Sequence, residues 1–257
     1  MNVADSQRVA SELEKLGYHA TRNAESADVI VLNTCVVRQS AEDKAYARLM
    51  SLKPLKQSRP ELVLGLMGCL VGVRDASPLQ TRFPFVDVFL PPSDPSKLVE
   101  LLRARGANSV TSEDRNIEQR ETETRYELMD ADLILPVHER GNLVSAHVPV
   151  VYGCSHVCTF CIIPYRRGIE HSRSVGEIAA EVRALVNQGV KEVTLLGQIV
   201  DRYGYDVPER PRLPDQFRAI HDIDGLQVAT IGNENGFAFW FSGKRKCDGL
   251  SSGGAFI

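Results

Sequence analysis

The stretch Gly-Cys-Ser-His-Val-Cys-Thr-Phe-Cys, at residues 153–161, places three thiols within eight positions of one another. It follows an apolar run at residues 146–152 that is typical of a buried strand, and Pro164 lies in the loop that we predict after it, where it opposes immediate helix propagation. Three thiols this close can bind one inorganic centre without ligands from distant sequence. An iron-sulfur cube held by three protein thiolates keeps one iron free for a substrate. The spacing therefore predicts an iron-sulfur site on Cys154, Cys158 and Cys161 at the end of a strand.

Two other interpretations of the three cysteines stay open. A structural zinc site needs a fourth Cys or His at a suitable offset. His156 lies inside the loop and His171 lies ten residues past Cys161, so neither fits well. The thiols could also be unrelated core residues, because free cysteine is often buried, although their crowding on one loop argues against this.

The motifs around the cysteines resemble a known family. The spacing, with Phe160 just before the third cysteine, is similar to the signature of the radical S-adenosylmethionine (SAM) enzymes. Within that superfamily the neighbouring residues resemble the methylthiotransferases, and residues 192–198 are most similar to the enzymes that modify isopentenyl-adenosine beside the anticodon of tRNA. The resemblance covers roughly residues 1–227. The motifs that carry it are YGC at 152–154, CTFCIIPY at 158–165, RG at 167–168, SRS at 172–174 and EVTLLGQ at 192–198.

The resemblance implies a set of cofactors and a reaction. A [4Fe-4S] cluster on the three loop cysteines would bind SAM through its open iron. Phe160 would lie near the adenine of SAM, and Gln198 would lie near the cofactor. The radical chemistry would add a methylthio group to carbon 2 of the adenine in tRNA, with a second SAM, a sulfur source and an electron donor taking part. The family commonly has Asn where this chain has Ile199, which weakens any polar role there.

Two further cysteines follow predicted strands in the amino-terminal part. The apolar runs at residues 27–32 and 61–67 precede Cys35 and Cys69. Ligands gather outside the carboxyl ends of parallel strands, so we expect the two thiols to converge, although two core thiols would give the same pattern. In the family these positions are two of three ligands of a second cluster, implicated in sulfur delivery. The family's first ligand is absent here, so a complete second cluster would need an outside ligand.

The alternation of predicted strands and helices favours an α/β fold in two parts. We predict an open parallel-sheet α/β domain at residues 1–106, a linker at 107–145 and the start of an incomplete radical-SAM partial (β/α) barrel at 146–227. A tail unrelated to the family follows at 228–257, in which Cys247 is incidental. We expect the chain to be truncated at both ends: at the start by a misassigned start codon or a truncated gene, and in the tail by a frameshift or an assembly break. The remaining predicted elements are helices at 3–16, 40–55, 95–105 and 213–221, a helix opened by a capping box at 174–177 and ended by Gly189, and strands at 85–90 and 192–196.

The composition narrows the classes of function. A length of 257 residues, 43% of them hydrophobic, suits two domains with a core each. The sequence shows no apolar run of membrane length and no leader, and its six cysteines are better suited to metal binding or catalysis than to disulfides. We therefore expect a cytoplasmic monomer. The net charge of −3 does not indicate a general nucleic-acid binder. A protein that binds one extruded base needs only a local basic rim. Arg166, Arg167 and Arg173 could form such a rim, or they could be ordinary solvated side chains.

The sequence thus predicts a radical SAM tRNA methylthiotransferase. One alternative is a cluster-binding fragment without turnover, and another is a methylthiotransferase that acts on a ribosomal-protein side chain. Only two barrel strands are predicted before residue 228, and the family's RNA-binding β-domain is not recognised. We therefore expect the 257-residue chain as written not to methylthiolate tRNA.

Overall fold

The chain forms two α/β units, each built on a sheet with parallel strands. The computed structural model describes residues 1–107, 135–136, 139–233 and 239–242. The predicted fold class is confirmed. Most of the predicted linker at 107–145, and the part of the predicted tail that contains Cys247, lie outside the described residues. No helix within the described ranges is long and apolar enough to cross a membrane.

The amino-terminal unit has three parallel strands in the order β1-β2-β3. The central strand β2 is buried at every position, because apolar side chains pack on both of its faces. This two-sided burial explains the continuous apolar run in the sequence. The elements are α1 (Asn2–Lys15), β1 (Val29–Thr34), α2 (Gln39–Ser58), β2 (Val63–Gly68), α3 (Ser77–Arg82), β3 (Val88–Leu90) and α4 (Ser96–Ala107).

Helix α2 continues past Pro54, so the predicted end near residue 55 is wrong. Proline inside a helix removes a hydrogen bond and crowds the preceding turn. The helix nevertheless keeps an apolar face through this point, since Leu49 and Leu52 are buried and Leu55 packs against the same cluster. Burial of that face outweighs the local penalty.

Strand β1, which precedes α2, includes Asn33 and Thr34 and therefore ends directly before Cys35.

The carboxyl-terminal unit is a five-stranded sheet in the order β5-β4-β6-β7-β8. The three middle strands are parallel, and the two outer strands are antiparallel to their neighbours. The predicted β-α-β unit of β4, α6 and β6 is confirmed. The elements are β4 (Ser145–Tyr152), α5 (Ile163–Arg167), β5 (His171–Ser172), α6 (Val175–Asn187), β6 (Glu192–Gly197), α7 (Leu213–His221), β7 (Val228–Asn233) and β8 (Phe239–Ser242).

Local sequence signals set several of these boundaries. The predicted capping box is confirmed: Ser174 Oγ accepts from Glu177 N, and Glu177 Oε2 accepts from Ser174 N, each at 3.2 Å. The α6 side chains Ile178, Val182 and Leu185 then pack into the core against β4 and β6. The cap and the apolar stripe therefore fix both the start and the orientation of the helix.

Two predictions for this unit are wrong. The residues around Pro164 form the short helix α5 rather than an open loop, since proline in the first turn costs no helical hydrogen bond. The segment from residue 228, predicted to be a tail unrelated to the barrel, begins with β7, which pairs with all six residues of β6. The sheet thus has three parallel strands where the sequence predicts two.

Candidate iron-sulfur site

The cysteine loop begins at a turn that only glycine accommodates. Gly153 follows β4 with a φ of 65°, and a Cβ at this position would overlap the carbonyl oxygen of Ile169. This close approach lets Cys154 N donate to Gly168 O at 3.0 Å. The backbone thus anchors the start of the loop against the segment that follows α5.

The three loop thiols differ in exposure. Cys154 is buried, Cys158 is exposed and Cys161 is half-buried, and all three are free thiols. Burial raises the pKa of the Cys154 thiol; the amide of His156, which donates to its Sγ at 3.4 Å, acts in the opposite direction, and the nearby Cys161 and Cys158 raise the pKa further. The three thiols of this loop thus differ in their surroundings, and Cys154 is the most enclosed.

The donor set suits an iron-sulfur cluster by its chemistry. Such clusters are held by thiolates, and this loop supplies three on a segment without regular secondary structure. Across the described ranges, however, no three His, Cys, Asp or Glu side chains are gathered at metal-binding distances. The alternative zinc site with a histidine ligand is likewise not formed among the described residues. The structure brings the three thiols to one loop but does not itself form a ligand cage.

Cys35 and Cys69 follow the in-register ends of neighbouring parallel strands. Thr34 pairs with Gly68, and Cys69 N donates to Thr34 O at 3.1 Å. The Thr34 hydroxyl donates to Met67 O at 2.7 Å and accepts from Leu70 N at 3.2 Å, which fixes both strand ends. Cys35 is half-buried and Cys69 is buried. The backbones of the two cysteines lie side by side, as expected for adjacent strand ends.

Phe160 lies within the cysteine loop, and Gln198 follows β6 at the edge of the sheet from which this loop leaves. Val151 pairs with Gly197 near the ends of β4 and β6, so Cys154 and Gln198 leave the same edge of the sheet. Gln198 is half-buried. Phe160 is 91% exposed, which leaves its ring available to a ligand.

The three arginines predicted to form a basic rim are occupied by internal contacts. Arg167 is buried and lies 3.6 Å from Asp5. Arg173 pairs with the carboxylate of Glu181 and donates to the carbonyl of Pro149. Arg166 is half-buried and donates to a backbone carbonyl of the amino-terminal unit. The predicted rim is therefore wrong, and so is the simple solvated alternative for Arg167.

Two acidic residues near the site were missed by the sequence analysis. Asp5, the partner of Arg167, lies four residues before Val9 on the buried face of α1, and a carboxylate on an apolar stripe is a signal for a buried charge pair. Glu170 is buried beside the loop: its amide donates to Ser155 Oγ at 3.0 Å, and its Oε2 accepts from Arg202 at 2.7 Å. No sequence pattern distinguishes Glu170 from a surface residue.

A cavity of about 520 Å³ lies between α1, β4 and α6. Charged residues of opposite sign line it, among them Arg8, Arg173 and Glu181. None of the predicted ligands lines this cavity. It is therefore separate from the cysteine loop.

Two family models match the two units. Residues 1–91 match the family described as "Uncharacterized protein family UPF0004", and residues 148–233 match the radical SAM superfamily. The carboxyl-terminal unit is thus similar to the radical SAM superfamily over most of its sheet. Its match ends at the last residue of β7, so the strand that the sequence analysis assigned to a tail is part of the superfamily region.

The chain is also similar to proteins named tRNA-2-methylthio-N(6)-dimethylallyladenosine synthase. Those of Roseiflexus sp. (strain RS-1) and Dehalococcoides mccartyi (strain CBDB1) are each 42% identical over 227 residues, which is 88% of this chain and 43% and 46% of theirs. The one from Clostridium botulinum (strain Loch Maree / Type A3) is 37% identical over 230 residues, 88% of this chain and 48% of its own. The chain spans about half the length of the curated relatives it matches. The resemblance to radical SAM methylthiotransferases is confirmed.

Proposed function

We propose that this chain provides the cysteine-bearing part of a radical SAM methylthiotransferase that modifies carbon 2 of isopentenyl-adenosine in tRNA. The observation that carries the proposal is the loop of Cys154, Cys158 and Cys161, anchored at the carboxyl end of β4 in a radical SAM unit. The substrate follows from the name shared by the relatives. The adjoining α/β unit contributes two more thiols at strand ends.

In this proposal the three loop cysteines hold a [4Fe-4S] cluster, and Gly153 fixes where their loop starts. When bound, the cluster supplies the electron for reductive cleavage of SAM. Phe160 would lie near the adenine of SAM, for which its exposed ring is available. Gln198, at the same edge of the sheet, would lie near the cofactor. These residues bind and orient SAM, while the cofactor supplies the difficult chemistry.

Cys35 and Cys69 are proposed ligands of a second cluster that serves sulfur delivery. Their side-by-side strand ends support this role. Two thiolates require at least one ligand from elsewhere to complete a three-thiolate site. An electron donor and a sulfur source are further partners. A reducing, cytoplasmic location fits the free thiols, and the proposal treats the protein as a monomer.

The two alternative functions remain distinct candidates. A ribosomal-protein substrate would use the same cysteine loop with a different binding surface. The alternative of a fragment without turnover rests partly on the prediction of only two barrel strands. That reason is weaker, since β7 adds a third parallel strand and β8 pairs with its outer edge.

An anaerobic assay with dithionite, SAM and isopentenylated tRNA tests the proposal, with nucleoside mass spectrometry as the readout. Methylthiolated nucleoside that disappears in the Cys154→Ala, Cys158→Ala, Cys161→Ala triple variant supports it. A parallel reaction with ribosomal protein in place of tRNA tests the first alternative. A modified ribosomal protein without any modified tRNA would contradict the tRNA assignment, whereas the absence of both products, with or without cleavage of SAM, would favour the fragment without turnover.

A further inference from the structure

The short helix α5 connects the cysteine loop to the amino-terminal unit through two arginines. Arg166 donates from Nη1 to Leu70 O at 3.3 Å, and Leu70 directly follows Cys69. Arg167 donates from Nη2 to Asn2 Oδ1 at 2.8 Å, and its Nη1 lies 3.6 Å from Asp5 Oδ2. Because α5 begins two residues after Cys161, these contacts lie close to the loop thiols in the chain.

The pair of Arg167 and Asp5 is buried on both sides. Each side chain is only 3% exposed. Ser93 Oγ donates to Asp5 Oδ1 at 2.6 Å, whereas no hydrogen bond reaches Oδ2. The guanidinium of Arg8 is a further positive charge near this carboxylate. Separating the two units would leave buried charges without their partners, which is strongly unfavourable.

Asn2 extends the connection to the other amino-terminal cysteine. Its Nδ2 donates to Thr34 O at 3.2 Å, and Asn33 Nδ2 donates to Asn2 O at 2.9 Å. Thr34 directly precedes Cys35. Helix α5 is thus connected through Asn2 to the residue before Cys35, and through Arg166 to the residue after Cys69.

Packing beside the arginines is equally close. A Cβ at Gly72 would lie 3.4 Å from Arg166 Cδ, so the backbone three residues after Cys69 runs close beside α5. The guanidinium of Arg74 lies over the ring of Tyr165, 4.8 Å from its centroid. The contact between the units therefore combines charge, hydrogen bonds and apolar surface.

We propose that Arg166 and Arg167 are positioning residues that hold the loop of Cys154, Cys158 and Cys161 at a fixed place relative to Cys35 and Cys69. The inference rests on the proposed function, in which both groups of thiols serve one reaction. Neither arginine touches the reacting atoms. Both act through α5, whose first residue lies two positions after the last loop cysteine.

Thiol cross-linking of the metal-free full chain tests this placement. A short bis-maleimide reagent is added to the reduced protein, and cross-linked peptides are quantified by mass spectrometry. The accessible thiols Cys158 and Cys35, one exposed and one half-buried, provide the diagnostic pair. The variants are Arg167→Ala and Asp5→Asn. The control is Arg183→Ala, which removes an arginine from the exposed face of α6.

We expect the wild type and Arg183→Ala to give the same yield of cross-linked peptide. Arg167→Ala and Asp5→Asn should lower it roughly tenfold, because each leaves a buried charge unpaired. The proposal would be overturned if the wild type gave no Cys35–Cys158 cross-link, or if the yield from Arg167→Ala were within about twofold of the wild-type yield. Circular dichroism verifies that each variant is folded. If Arg167→Ala does not fold, the near-isosteric Asp5→Asn decides the question.

Two additional variants separate positioning from general destabilisation. The double variant Asp5→Asn, Arg167→Ala should lose no more cross-link than Arg167→Ala alone, since the two side chains act as one unit. Arg167→Lys should recover part of the yield, because lysine keeps the charge but lacks the fork that reaches Asn2 and Asp5 together. Additive losses would contradict the pairing. All of these yields are measured without cluster, SAM or tRNA. The result of this test therefore does not depend on whether the proposed reaction occurs.

Discussion

Replacement of Gly153 by alanine tests how the cysteine loop is anchored. Gly153 has a φ of 65°, a conformation that costs a residue with a side chain about 1–2 kcal/mol. The added methyl group would also overlap the carbonyl oxygen of Ile169, and overpacking of this kind costs about 1–3 kcal/mol. We therefore expect Gly153→Ala to lower the free energy of unfolding of the carboxyl-terminal unit by about 2–5 kcal/mol.

Two glycines in the same unit separate the two contributions. Gly141 has a φ of 74° with open space around it, so Gly141→Ala should cost only the conformational part, about 1–2 kcal/mol. Gly176 lies in α6 with negative φ and open space, so Gly176→Ala should leave stability unchanged or slightly raised. Urea unfolding followed by the fluorescence of Trp240, the chain's single tryptophan, reports on this unit from β8. If Gly153→Ala were no more destabilising than Gly141→Ala, the close approach to Ile169 would be refuted.

Two further substitutions in this unit have defined outcomes. Ser174→Ala removes the capping hydrogen bond to Glu177 N and should lower the free energy of unfolding by about 1 kcal/mol in the same assay, whereas no change would contradict the capping role. Burial raises the pKa of Tyr203 to about 12. Its contribution to stability is therefore complete below its ordinary pKa of 10.0 and is lost as the pH rises toward about 12. Tyr203→Phe loses the hydrogen bond to Arg173 O and should be less stable than wild type at pH 7. Between pH 10 and about 12, however, its free energy of unfolding should fall less than that of the wild type. Parallel curves of unfolding free energy against pH for the two proteins would contradict this.

Local signals predicted much of the carboxyl-terminal unit. The capping box at Ser174 and the apolar stripe of α6 specify a helix start and a buried face through contacts within a few residues. Helix α7 has the predicted bounds, Leu213–His221. The cysteine spacing likewise indicated its site from eight adjacent positions. Features of this kind are encoded over one or two turns of chain, so sequence alone is sufficient to find them.

Features that depend on tertiary partners were not predictable in the same way. Helix α2 passes through Pro54 because its apolar face is buried on the sheet, and the sequence gives no direct measure of that burial. Strand β7 is defined by its pairing with β6, 36 residues away along the chain at Thr194 and Thr230. Arg167 is buried because Asp5, far away in sequence, meets it. Each of these outcomes required knowledge of which segments pack together.

Iron and sulfide analysis of anaerobically reconstituted protein tests the central claim most directly. We predict that the wild type binds a [4Fe-4S] cluster on the loop, and that the variant with Cys154, Cys158 and Cys161 all replaced by alanine loses it. The variant Cys35→Ala, Cys69→Ala is the matched control and should retain the loop cluster. Unchanged iron and sulfide in the triple variant would contradict the assignment of these three thiols as the cluster ligands.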